Sequence, residues 1–151
     1  MSTVMELAVF GTCALRGVGA VDVRIAGAKH RGLFALLATA PLGRRTRTYL
    51  QETLWGPGDY DTGHQNLRRA LSDLRKQLGP AFDELLHVTT TEVEIDLSRL
   101  RLVGTPSDGP FLDDLNIREP AFLAWRDGVR ADPEAVASLC RLNHSRPQGR
   151  L

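Results

Sequence analysis

Four leucines, Leu67, Leu71, Leu74 and Leu78, recur at spacings of four, three and four residues. That spacing puts all four on one side of an α-helix spanning about residues 62–78. A helix with so continuous an apolar stripe must seat it on other elements, so the surrounding chain has to supply them. Gly79 and Pro80 end the helix, glycine just past the last turn and proline beyond it. Asp61 or Thr62 can cap its start. Off the stripe lie Gln65, Asn66, Arg68, Arg69, Ser72, Arg75 and Lys76, a set of hydrogen-bond donors that is either solvated or in contact with a partner.

The flanking segments have readable periods. Residues 6–16 alternate loosely and residues 21–26 cleanly, with Gly17, Gly19 and Ala20 between them, which predicts two strands of a hairpin. Residues 28–39 crowd Leu33, Phe34, Leu36 and Leu37 onto one helix side, and Pro41 and Gly43 end it. A short amphipathic helix follows to Gly56, capped by Thr46 or by a box of Thr48 and Gln51. After the leucine helix, a second hairpin is predicted. Val88 begins one strand, Thr89–Glu92 make the turn, and Val93, Ile95 and Leu97 alternate with Glu94 and Asp96. Residues 101–103 extend it or add a strand. Residues 104–110 form a break rich in Gly, Pro and Ser, and 119–127 and 133–142 read as short helices. This divides the chain into 1–104, a helical extension at 105–142 and a loose tail at 143–151.

Composition narrows the function. The chain has 151 residues and a net charge of +1. The charge is uneven: residues 24–78 carry ten basic and four acidic side chains, so the rest of the chain is acidic. Such a basic window suits a polyanion. No apolar run approaches the ~20 residues that cross a bilayer. The start, MSTVMELAVFG, lacks the pattern of a secretory signal. Cys13 and Cys140 lie far apart, and a reduced, cytoplasmic chain is expected. His30, His64, His87 and His144 share no metal-ligand spacing with each other or with the cysteines. Gly17 and Gly19 lie between strands rather than before a helix, so they make no phosphate loop. Asp113 and Asp114 have no base or nucleophile beside them. Neither an enzyme, a metal nor a cofactor is expected.

Strands, three helices and a hairpin, in this order, describe an α+β winged helix-turn-helix: a small N-terminal antiparallel sheet, three helices, a hairpin wing and a short helical extension. In such folds the third helix lies in the DNA major groove with the wing beside it. Arginine pairs with guanine edges, and asparagine or glutamine with adenine. Lys29, Arg44, Arg45 and Arg47 suit phosphates. The wing is acidic, however, and Glu92, Glu94 and Asp96 suit phosphates poorly. Trp55 packs over the core or stacks on a base. Phe111, Leu112, Phe122 and Trp125 either cover an open face of the fold or form a dimer or docking surface.

Several stretches resemble the OmpR-type winged-helix domain of SARP/BTAD-like bacterial transcriptional regulators. "LAVFGTCALRG" resembles its opening strand, "AGAKHRGLFALLATAPLGRRTRTYLQETLWG" its first two helices, "NLRRALSDLRKQLG" its third helix, and "FLDDLNIREPAFLAWRDGVR" its connector. The resemblance implies a sequence-specific DNA-binding regulator. By position it carries base and backbone contacts onto Gln65, Asn66, Arg68, Arg69, Ser72, Arg75 and Lys76. Family members continue into a helical-repeat activator domain; a fragment, a truncated member and a stand-alone module are all compatible with this chain. Double-stranded DNA is the expected partner. RNA polymerase and a second copy, through residues 111–142, are further candidates. The alternative is a winged-helix protein-interaction or dimerisation module that does not bind DNA, favoured by the acidic wing and the acidic, aromatic C-terminal segment.

Overall fold

The computed structural model describes residues 4–17 and 25–145. Its elements are β1 (Met5–Ala8), β2 (Ala14–Gly17), α1 (Ala28–Ala38), β3 (Arg44–Thr46), α2 (Arg47–Trp55), α3 (Tyr60–Leu78), α4 (Ala81–Leu85), β4 (Leu86–Val88), β5 (Glu92–Ile95), β6 (Leu100–Val103), α5 (Pro120–Ala131) and α6 (Pro133–Ser145). Six helices and two three-stranded sheets make an α+β architecture compatible with a winged-helix-like fold.

The first sheet departs from expectation. It has the order β2-β1-β6. β1 and β2 both overlap the predicted strand 6–16, at its two ends, and pair antiparallel, Leu7 facing Leu15. The break between them is at Gly11, whose φ of +73° favours glycine and whose backbone lies against Asp108 so closely that a Cβ would sit 2.4 Å from its carbonyl oxygen. Gly11 N–H donates to the carbonyl of Pro110, and Phe10 bridges to Phe111. The C-terminal connector therefore shapes this turn, a contact about a hundred residues away in the chain. The third strand, β6, runs parallel to β1 with Leu7 facing Leu102, so the sheet is mixed rather than antiparallel. Of the predicted strand 21–26, residues 21–24 lie outside the described residues. Ile25 is buried, and Ala26, in no strand, donates its N–H to Gln77 Oε1 of α3.

The helices follow the sequence more closely. α1 is buried on nearly every side from Gly32 to Ala38, as suits a helix packed between other elements. Thr46 caps α2, its hydroxyl accepting from Tyr49 N–H at 3.1 Å; the alternative box is not used. α3 starts earlier than predicted. Asp59 is its cap, accepting from both the N–H and the hydroxyl of Thr62. Leu67, Leu71, Leu74 and Leu78 are all buried. Gly79, at φ +61°, closes α3 with a bond to the carbonyl of Arg75. The five-residue α4, too short to show a period, buries Phe82 and Leu85.

The second sheet has the order β3-β5-β4. Val88 ends β4 rather than beginning it, and Leu97 falls in a 3-10 turn after β5. β3, between α1 and α2, pairs with β5 and ties the hairpin to the helices. Phe111, Leu112, Leu115, Ile117, Phe122 and Leu139 join one continuous core with residues from β1, α1, α2 and α3. The four apolar residues with two readings thus resolve toward covering: Phe111, Leu112 and Phe122 are buried, and Trp125 packs against Phe111 and Phe122. Trp55 packs partly buried on the same core. Cys13, which is buried, and Cys140, which is half-buried, are not joined in a disulfide.

Candidate nucleic-acid interface

The surface of α3 divides into three strips. The leucine stripe faces the core. Opposite it stand Gln65, Arg69, Ser72 and Lys76, all exposed. On one flank Asn66 is half-buried, Asp73 bonds His30 Nε2 at 3.3 Å, and Gln77 accepts from Ala26, so this flank is tied to α1 and the segment before it. On the other flank, His64, Arg68 and Arg75 face the β4–β5 turn across an open groove whose opposite wall is Val88, Thr89 and Thr90.

Arg47, the first residue of α2, lies between the two walls and is 9% exposed. Its Nη1 donates to the carbonyl of Thr89 at 3.0 Å and its backbone N–H to the carbonyl of Thr91 at 2.8 Å. Burial lowers its pKa, Arg68 lowers it further, and Tyr60 opposes the shift. Thr89 completes the turn, its hydroxyl accepting from Glu92 N–H at 3.0 Å. Three threonines, Thr89, Thr90 and Thr91, therefore form the hairpin tip.

The structure sorts the predicted basic contacts. Arg75 pairs with Asp83 at 2.9 Å and lies over the Phe82 ring at 4.3 Å, so its charge is already compensated. Arg45 donates from Nε to the carbonyl of Leu36 at 2.9 Å and stacks over Tyr49. Lys29 lies 5.5 Å from the centre of the Trp55 ring. Arg44 is exposed on β3, across from Glu94. The groove brings together Arg47, Arg68, Ser72 and Arg75; Lys29, Arg44 and Arg45 do not line it. Of the hairpin acids, Glu92 closes the turn at the start of β5, Glu94 lies within the strand and Asp96 lies just beyond it. Glu94 stands between Arg44 and His87 on the neighbouring strands. Asp96 accepts from Ser98 Oγ at 2.6 Å and pairs with Arg99.

His64 and Tyr60 were not among the expected site residues. Their rings stack at 5.9 Å, and Tyr60 is 63% exposed. Their spacing of four is a helical signal, but a helix begun at residue 62 leaves Tyr60 outside it. Thr89 and Thr90 had no signal beyond membership of a turn. Among the described residues, no helix is long and apolar enough to cross a membrane, and no cluster of three or more His, Cys, Asp or Glu is placed to hold a metal ion.

No protein-family model matches the chain, and no curated protein matches it in sequence. A solved structure does share its fold. The structure of Mycobacterium tuberculosis EmbR in complex with a low-affinity phosphopeptide aligns with a TM-score of 0.65 over 96% of this chain, at 14% identity. This chain spans 45% of the EmbR chain, and at this identity the likeness concerns fold alone. It supports a fold related to the winged helix expected from the sequence.

Proposed function

We propose that the protein is a non-catalytic, cytoplasmic regulator of transcription that binds double-stranded DNA, with the exposed strip of α3 in the major groove and the β4–β5 hairpin alongside. The observation that carries this reading is the placement of α3. Its apolar stripe is fully used in the core, while Gln65, Arg69, Ser72 and Lys76 stand exposed on the opposite side. Such a helix presents long donors that fit base edges. The hairpin tip offers the hydroxyls and backbone groups of Thr89, Thr90 and Thr91 next to the backbone path. The fold shared with EmbR and the stretch-by-stretch resemblance to OmpR-type domains support the same reading.

Binding to labelled duplexes of random and genomic sequence, measured by anisotropy across a salt series, tests it. Log K is expected to fall linearly with log salt, because phosphate neutralisation releases counterions. At least one genomic sequence is expected to bind more tightly than the random pool. Absence of any duplex binding at low salt sinks the reading in favour of a protein-interaction module.

A further inference from the structure

The groove between α3 and the hairpin tip contains a cation that the fold does not neutralise. Arg47 is buried, yet among the described residues no carboxylate forms an ion pair with it; its side-chain partner is the carbonyl of Thr89. Arg68, exposed on the rim of the same groove, adds a second positive charge. Placing like charges together with one of them desolvated is costly, and an anion between them removes the cost. Hydroxyl donors stand at the edges, Ser72 on α3 and Thr90 on the hairpin, while the Thr89 hydroxyl is committed to the turn through Glu92. His64 lines the groove too, and its buried Nδ1 has no hydrogen-bond partner among the described residues. Two guanidinium groups with hydroxyls around an open groove suit the charge and hydrogen-bonding needs of a phosphate oxyanion.

We propose that this groove is an oxyanion site that takes one phosphodiester of the DNA backbone, held between Arg47 on its floor and Arg68 on its rim. The proposal rests on the DNA-binding reading and refines it. Arg68 becomes a backbone contact, and base reading is left to Gln65, Arg69 and Lys76. Arg47 acquires two tasks. It fixes the hairpin turn through Thr89 and Thr91, and it offers charge to the phosphate, so the bound phosphate and the hairpin tip share one anchor. This arrangement registers the hairpin against α3 through Arg47 rather than through a side chain of the tip.

Two measurements on the full chain test the proposal separately from DNA binding as such. In the first, inorganic phosphate is titrated in, and arginine Nε–Hε and backbone amide resonances are followed by NMR. Saturable shifts confined to Arg47, Arg68, His64 and residues 88–91 are expected; none, or shifts spread over all exposed arginines, overturns the site. In the second, Arg68→Gln is compared with the unmodified chain in the anisotropy salt series. The slope of log K against log salt is expected to fall by about 0.9, the share of one phosphate contact, with the same fold-loss on preferred and random duplexes. An unchanged slope, or a loss confined to the preferred sequence, overturns the phosphodiester assignment. Arg47→Lys, which keeps the charge and removes the fork, is expected to weaken binding to all duplexes and to shift the Thr89–Thr91 amides. A chain that takes up phosphate in the groove but binds no duplex refutes both the DNA reading and the phosphodiester, and assigns the site to a free phosphate.

Discussion

Replacing Phe122 with alanine tests how far the C-terminal segment belongs to the same folding unit as α3. Phe122 is 0% exposed. Its ring lies 5.6 Å from that of Trp125, and its edge comes within 3.6 Å of where a Cβ on Gly32 would stand, so it fills the space directly over α1. Leu54 and Ile117 crowd the same position on Gly32. These neighbours belong to α1, α2 and the connector, which pack on each other through several contacts. They cannot collapse far into the space the ring leaves, so the cost belongs at the upper part of the range for a phenylalanine lost from a core, about 4 kcal/mol. That is a large share of the roughly 5–15 kcal/mol that keeps a domain folded. Urea unfolding, followed by tryptophan fluorescence and by far-UV circular dichroism, measures it. The midpoint is expected to drop with the slope unchanged, and the two probes are expected to coincide, since Trp55 on α2 and Trp125 on α5 both pack on one core. A loss under about 1 kcal/mol, or an early transition seen only by fluorescence, refutes the reasoning and makes residues 105–142 a separate unit.

Further outcomes follow from other sites. Arg69→Ala, on the strip opposite the leucines, is expected to reduce discrimination between preferred and random duplexes by about 1–3 kcal/mol, in contrast to Arg68→Gln; equal loss on both duplexes contradicts a base-reading role. The Asp96 carboxyl is held below its ordinary 3.8, first by the hydroxyl of Ser98 and then by its backbone N–H and by Arg99. A depressed carboxylate stabilises the fold above its unfolded value and loses that contribution as pH falls through the folded one. Asp96→Ala is therefore expected to cost about 1 kcal/mol at neutral pH, with the gap to the unmodified chain narrowing in denaturant titrations below pH 3.8. Burial pushes the Cys13 thiol up to about 12, with Asp114 adding to the shift and Arg31 opposing it. At pH 8 only about one molecule in ten thousand carries a Cys13 thiolate, so iodoacetamide is expected to spare Cys13 in the native chain and to modify it in urea, read by peptide mass spectrometry. Rapid native alkylation of Cys13 refutes its burial.

The features legible in the sequence were those written within a few residues. The leucine spacing identified α3 and its buried side, Thr46 announced a cap, and Gly56 and Gly79 marked where helices stop. Each of these rests on interactions between residues three or four apart, so a window of one or two turns contains the whole signal. The exposed strip of Gln65, Arg69, Ser72 and Lys76 follows from the same periodicity, and the chemistry of its donors is enough to suggest DNA as a partner.

Tertiary structure decided what depends on distant contacts. Nothing local distinguishes Leu100–Val103 as the parallel neighbour of Met5–Ala8, a pairing that Arg101 and Glu6 reinforce from 95 residues apart. Gly11 turns the chain because residues 108–110 lie against it. The basic residues show the difference most directly. A sequence counts Arg45, Arg47, Arg68 and Arg75 as four equal charges. The fold gives Arg45 to the carbonyl of Leu36, Arg75 to Asp83, and Arg47 to the hairpin turn, and leaves Arg68 exposed beside Arg47. Charge is a property of the residue, but whether that charge is spent inside the molecule or offered outside it depends on which backbone and side-chain partners folding brings within hydrogen-bonding reach.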